Sequence, residues 1–460
     1  MNAPVDHKTL VPTETWRDRY RKLPEAGYAG LAHLPGLPKN AFPLWTTIKF
    51  LKDPLNFVRD RVAEFGRVYR VNNFGGWNVA MVGPEANELV LMNRDNLFSS
   101  EQGWNPVLEF LFPRGLMLMD GDEHRTHRKT LGVAFKPAPM KHYFNELSDG
   151  IARGVSAWPE EMKFYPAIKE LTLDLAATSF LGIEWGPEAK KINRAFVDMV
   201  QAAVGIVRVP IPGSLMFKGW LGRRYMSAFF QREIPKRRGA AGDDFFTQFC
   251  NATDDDGKLL TDQEVIDHMN FLMMAAHDTL TSSLTSTIYF LAKNPEWQDW
   301  LREEIATVPE LTYESLGKLE RCEMAFKEAM RLNAPVPGIP RRAMRAFTIG
   351  NFQVPAGAHV GINPMMTHRL PDLWPDPDRF DPTRFTAENS KGRHKYAWVP
   401  FGGGAHMCLG LHFAYMQAKT FLWQLLKDRK LVLPEGYDCD FAMFPMPKPR
   451  DGLPIRLERI

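Results

Sequence analysis

The stretch FGGGAHMCLG, residues 401–410, sets one thiol, Cys408, among Gly402, Gly403, Gly404 and Gly410, with an amphipathic run directly after it. Three chemistries suit such a cysteine. It can be a small apolar core residue, but the crowd of glycines argues against that, since glycine serves where backbone needs positive φ or must be approached closely. It can ligate zinc with His406 and His412, but structural zinc sites pair CxxC or HxxxH elements, and no second cysteine pair exists in the chain. The third is a thiolate: backbone N–H groups and the dipole at a helix start stabilise it, and held in a glycine loop it can bind an iron from one side, as a haem-thiolate site requires.

Three other pairs carry chemistry. Glu328 and Arg331 are three apart on a helical pattern and share one face; on a surface such a pair is worth little. Asp278 and Thr279 sit in an apolar run. A threonine buried in a helix bonds back to the carbonyl four residues earlier, here Ala275, whereas an unpaired buried aspartate is costly. In GDEHRTHRKTL, His124 and Arg128 are four apart; the segment is either a solvated basic face or an anion site, and Arg125, Lys129 and Lys136 belong to the former.

The elements that position these residues are mostly helical. TDQE at 261–264 is a capping box, and the apolar run behind it lasts until Asn294-Pro295, where proline ends a helix. Some thirty residues at ~1.5 Å each span roughly 45 Å, so this helix crosses the molecule. With Phe271, Leu272, Met273, Met274, Ala275 and Ala276 in succession it is expected to be buried. Further helices are expected over 315–332 and 409–427. Residues 66–83 pattern as a hairpin about Gly75-Gly76, and 345–361 as a short β region. The fold class is mainly α with small β-sheets.

The 460 residues carry 45% hydrophobic residues, enough for a large core, and show no repeat or Gly/Ser linker. Residues 1–40, rich in proline and charge, read as an extended lead-in, and 41–460 as a single domain. A net charge of +3, from 57 basic and 54 acidic residues, argues against nucleic acid. Four cysteines make no disulfide framework and suit a reducing compartment. The N-terminus has no apolar stretch near the ~20 residues of a membrane span and no signal-peptide core. A cytoplasmic chain without a membrane anchor is the expectation.

Phe401, Gly404, Cys408 and Gly410 match F-x-x-G-x-x-x-C-x-G, and with this the chain resembles the cytochrome P-450 family. Glu328-Ala-Met-Arg331 matches its E-x-x-R, Ala275-Ala276-His277-Asp278-Thr279 its oxygen-activation motif, and His124 with Arg128 its H-x-x-x-R. Ala276 departs from the usual second glycine and Leu280 from the usual Thr or Ser. The resemblance covers nearly the whole chain. It implies the P-450 fold, with the long central helix over a haem b and Cys408 as axial ligand of the iron. His124, Arg128, Arg341 and His406 would bind the propionates, and Ala275 would flank the haem. Glu328, Arg331 and Arg379 would form a buried triad behind the Cys loop. Asp278 and Thr279 would deliver protons to bound O2, and His277 would make a packing or salt-bridge contact.

The resemblance further implies a hydrophobic substrate in a pocket of Trp104, Val107, Leu108, Phe110, Leu111, Val204, Ile206, Val207, Val209, Phe271, Ala275, Val336, Ile339, Phe444 and Met446. A likeness of 84–131 to the retinoic-acid hydroxylases and their cyanobacterial relatives points to an isoprenoid, steroid, retinoid or fatty-acid-like compound. Electrons would come from a separate ferredoxin and its reductase, steered by a basic face of Arg125, Lys129, Lys136, Lys391, Arg393 and Lys395, to a monomeric enzyme. The expected activity is a monooxygenase. The alternatives are a P-450-fold peroxygenase or isomerase, or a non-enzymatic haem sensor or carrier.

Overall fold

The computed structural model describes residues 23–183, 186–203, 205 and 208–460. Seven helices build the site: α1 (Gly121–Leu131), α2 (Phe164–Leu181), α3 (Pro187–Ala203), α4 (Leu215–Arg237), α5 (Asp262–Lys293), α6 (Glu320–Leu332) and α7 (Leu411–Leu426). Against this helical body stands a five-stranded sheet of β1 (Val68–Asn73), β2 (Gly76–Met81), β3 (Phe98–Ser99), β4 (Ile339–Ala343) and β5 (His359–Ile362), ordered β1-β2-β5-β4-β3. The β2–β5 pair is parallel and the others antiparallel. One apolar core lies among the helices and a second against the sheet, and Trp104 packs on both.

Helix α5 runs as its ends dictate. The Thr261 and Glu264 side chains cap each other's backbone, and the helix stops at Lys293 before Pro295. Its middle is not covered all round: Phe271, Ala275 and Thr279, four residues apart on one face, are half-buried, whereas Met273, His277 and Asp278 are buried.

The helix expected over 315–332 breaks in two. A 3₁₀ turn covers Ser315–Lys318, and α6 starts after Leu319. The break has a cause: the Glu304 carboxylate accepts from the N–H groups of Arg321 (2.7 Å) and Cys322 (3.1 Å), capping a new helix start. The hairpin forms one residue earlier than expected, turning on Phe74 and Gly75, both at positive φ, with Gly76 already paired to Asn73. The lead-in is not wholly extended. From residue 23 the chain docks on the sheet: Gly27–Leu31 is a short helix, Leu31 and Leu34 are fully buried, and Arg70 donates to the carbonyls of Ala32 and Leu37.

Candidate active site

Cys408 lies two residues before the N-cap of α7, and its N–H donates to the Phe401 carbonyl (2.9 Å), closing the turn. The thiol reaches open space, yet desolvation by surrounding chain is the largest influence on its acidity and pushes the pKa up. The Gly410 N–H and the Arg128 guanidinium oppose that push and favour the thiolate.

The glycines of the turn have a different reason from the one the sequence suggested. Gly404 has φ +60°, and a Cβ there would lie 2.1 Å from the Leu91 carbonyl oxygen; a Cβ on Gly403 would touch the Leu91 side chain at 3.4 Å. They press the turn onto the helix Pro84–Met92. Gly410 needs no such freedom: its φ is −86°, and the nearest atom to an added Cβ is on Phe135 at 3.8 Å.

His124, Arg128, Arg341 and His406 gather in one place. The rings of His124 and His406 stand 3.9 Å apart at 30°. Burial, together with the charges of Arg128 and Arg341, depresses His124 to about 4; burial, His124, Arg341 and Arg128 depress His406 to about 2. Burial brings Arg341 down to about 10. The nearby carboxylate is Asp120, 3.8 Å from His406. Asp120 also accepts from the N–H groups of Ser100 (2.8 Å) and Glu101 (3.3 Å) and from the Ser99 hydroxyl, at the start of the helix Ser100–Leu108. Sequence reading missed Asp120, whose signal was a helix start twenty residues away. So many desolvated cationic or protonatable groups beside one carboxylate call for added negative charge. A haem b, with two propionates and an iron open to a thiolate, fits this donor set.

Glu328 and Arg331 form the expected buried pair, both side chains wholly inaccessible. Arg331 donates to both Glu328 oxygens at 2.7 and 2.8 Å. The third member is not Arg379. That side chain is 65% exposed and reaches Asp381 at 4.0 Å, while its backbone carbonyl accepts from Arg331 at 3.0 Å. Arg384 takes the place: its Nε lies 3.3 Å from Glu328 Oε1, in a side chain 10% exposed. The reason is the path of the proline-rich segment 371–382, which turns residue 379 outward and 384 inward. Arg331 and Arg393 lie over the Trp374 ring, 5.2 and 4.2 Å from its centre. Arg393 is thereby removed from the expected basic face, and it donates further to the Arg384 and Asn389 carbonyls. Lys129 pairs with Asp255 and Arg125 with Asp122, leaving Lys136, Lys391 and Lys395 exposed.

On α5, the Thr279 hydroxyl donates to the Ala275 carbonyl (2.7 Å), the back-bond expected of any buried helical threonine. Asp278 is buried but not alone: Oδ1 is 2.9 Å from His277 Nδ1 and 3.4 Å from Lys169 Nζ on α2. Its pKa lies below the ordinary value; burial, the largest influence, pushes it up, and His277 and Lys169 outweigh that. His277 makes the contact role expected of it.

The pocket residues divide. Trp104, Val336 and Ile339 meet at the sheet-side core, and Phe271 and Ala275 lie on the half-buried face of α5. Gly115 is needed here, since a Cβ would fall 2.3 Å from the Phe271 ring; Gly103 likewise lets its helix close on the backbone of Arg341, 2.7 Å from an added Cβ. Leu108 and Leu111 are core residues, 6% and 1% exposed, and Val107 and Val209 face solvent. Phe110 and Met446 are half-buried. Phe444 packs with Phe50 and Phe74 at 5.3 and 5.4 Å, at the hairpin turn. Val204, Ile206 and Val207 lie outside the described residues.

A thiol in an open turn, a cluster of depressed basic groups and a long helix with an acid–threonine pair define the class of haem-thiolate proteins. The sequence profile described as Cytochrome P450 matches residues 35–450, and the chain belongs to that family. It is 38% identical to cytochrome P450 136 of Mycobacterium tuberculosis over 82% of this chain and 79% of that one. A plant relative, the taxane 10-beta-hydroxylase of Taxus cuspidata, is 28% identical over 91% of this chain and 88% of its own length. The solved structure of retinoic acid bound cyanobacterial CYP120A1 superposes with a TM-score of 0.84 at 29% identity, covering 95% of this chain and all of that one. The protein is a monooxygenase whose cofactor is haem b and whose co-substrate is O2. Among the described residues no helix is long and apolar enough to cross a membrane.

Proposed function

We propose that the chain inserts one oxygen atom from O2 into a hydrophobic isoprenoid, steroid, retinoid or fatty-acid-like molecule, with electrons from a separate ferredoxin and its reductase. The observation that carries the reading is Cys408, open to a ligand and beside Arg128, with His124, Arg341 and His406 gathered for two carboxylates. The apolar lining by Trp104, Phe271, Val336 and Ile339 supports a hydrophobic substrate, as do the retinoic acid bound to the cyanobacterial relative and the taxane named for the plant one. Lys136, Lys391 and Lys395 are the cations left to steer an acidic electron donor.

Haem, when bound, supplies the iron that takes O2 and the oxidising power for insertion. Cys408 would ligate that iron as thiolate, kept ionised by the Gly410 N–H and Arg128. His124, Arg128, Arg341 and His406 would hold the propionates. Glu328, Arg331 and Arg384 keep the segment before the Cys turn in place. Thr279, its own proton committed to Ala275, offers its oxygen lone pairs to a water or a donor, and Asp278 beside it carries protons inward.

The reduced protein with CO should give the long-wavelength Soret band of a thiolate ligand, and Cys408→Ser should lose it. Hydrophobic candidates are screened by the spin-state shift on displacing bound water, then by product formation with NADH, ferredoxin and reductase. Turnover with peroxide alone would overturn the monooxygenase reading, and no turnover with any reductant would make the protein a carrier or sensor.

A further inference from the structure

The contacts of Asp278 are close but poorly directed. Neither Asp278 Oδ1 nor His277 Nδ1 has an aligned hydrogen-bond partner, despite their 2.9 Å separation. Charge, rather than directed bonds, holds the carboxylate, which leaves it free to turn. His277 is fixed from its other side: Nε2 is 3.3 Å from the Lys169 carbonyl, and its ring meets Phe196 edge-on at 5.7 Å. Tyr165, also on α2, is raised to about 12 by burial and by Asp278, so its phenol stays neutral.

Lys169 belongs to two places. Besides reaching Asp278, it lines a recess of about 420 Å³ between α2 and α3, together with Glu170, Asp174, Lys190 and Asn193. Asn193 is 6% exposed, and its Oδ1 is buried without a hydrogen-bond partner, as is Oδ1 of Asp174. Buried acceptors of this kind, in a space with room for several molecules, call for water. The recess is also acidic: burial and Glu170 push the Asp174 carboxyl up to about 6, against the pull of Lys190.

We propose that this recess is the aqueous inlet for the protons of the reaction, with Lys169 as its gate and His277 as the residue that positions Asp278. The proposal rests on the reading of Asp278 as proton carrier. When Lys169 swings into the recess, Asp278 faces recess water. A water O–H bond breaks, the Asp278 O–H forms, and bulk solvent returns a proton to the residual hydroxide by way of Asp174. Lys169 then re-forms its pair once Asp278 has passed its proton towards Thr279. The route enters from the α2–α3 side, and each group on it is a residue of this chain.

The test uses the haem-loaded enzyme with ferredoxin, reductase, NADH and a substrate found by the spin-state screen. Asn193→Leu plugs the recess without touching Asp278. Product formation should fall roughly tenfold, with more peroxide released per NADH and a larger solvent deuterium isotope effect. Lys169→Met, which keeps the stem and removes the charge, should shrink the isotope effect. Should Asn193→Leu not fold, the isosteric Asp174→Asn takes its place with the same expectation. A crystal structure of the enzyme should hold ordered water on Asn193 Oδ1 and Asp174 Oδ1, a readout independent of activity. A dry recess, or variants with wild-type peroxide release and isotope effect, would overturn the inlet and leave Lys169–Asp278 an ion pair between two helices. Failure of the monooxygenase reading would show differently, as absence of O2-dependent turnover in the wild type.

Discussion

Arg384 Nε stands 3.3 Å from Glu328 Oε1, and so completes the buried cluster in which Arg331 holds both carboxylate oxygens. Arg379, five residues earlier, contributes only a backbone carbonyl to it. Breaking one side of a wholly buried pair costs about 3–5 kcal/mol. Arg331→Met is therefore expected to abolish folding or haem retention, and Arg384→Met to lower stability by about 1–3 kcal/mol. Arg379→Ala should change it by less than about 0.5 kcal/mol. Urea unfolding of the three variants checks this, and equal effects at 379 and 384 would contradict the assignment.

Two glycines of the Cys turn separate in the same way. Gly404→Ala puts a Cβ against the Leu91 carbonyl at positive φ and should cost about 1–3 kcal/mol. Gly410→Ala meets ordinary contact and should leave unfolding of the haem-free protein nearly unchanged. Thermal melts of both haem-free variants decide it.

His368 is fully buried, and its Nε2 accepts from the Val399 N–H at 2.9 Å. Burial, with the charges of Arg331 and Arg369, depresses it to about 3. The folded chain keeps this ring neutral while the unfolded chain protonates it below about 6.5. Stability from His368 is thus present above the unfolded value and lost as pH falls from there towards 3, by up to ~1.4 kcal/mol per pH unit. Urea midpoints measured between pH 7 and 4 should fall with acid, and His368→Gln should flatten that slope.

Thr279→Val removes the hydroxyl at almost constant volume. The back-bond to Ala275 is local and neutral, so stability should shift by about 0.5–1.5 kcal/mol at most. If Thr279 handles protons as proposed, product yield per NADH falls roughly 10²-fold while reductant is still consumed as peroxide. Parallel unfolding and coupling measurements distinguish the two effects, and unchanged coupling would return Thr279 to a structural role.

What was legible in the sequence lay within a helical turn or at a helix end. The span of α5 follows from the Thr261–Glu264 box and Pro295, and the Glu328–Arg331 pair from a spacing of three, because helix geometry alone brings those atoms together. The thiol before a helix start was equally local. The tertiary structure decided the rest. The choice of Arg384 over Arg379 depends on an irregular proline-rich segment with no period to read. The partnership of Asp120 with His406, the demand for glycine at 404 and the reach of Lys169 to Asp278 join residues more than a hundred apart, or loops to distant helices. Such contacts are set by how whole elements pack, and no spacing within one segment encodes them.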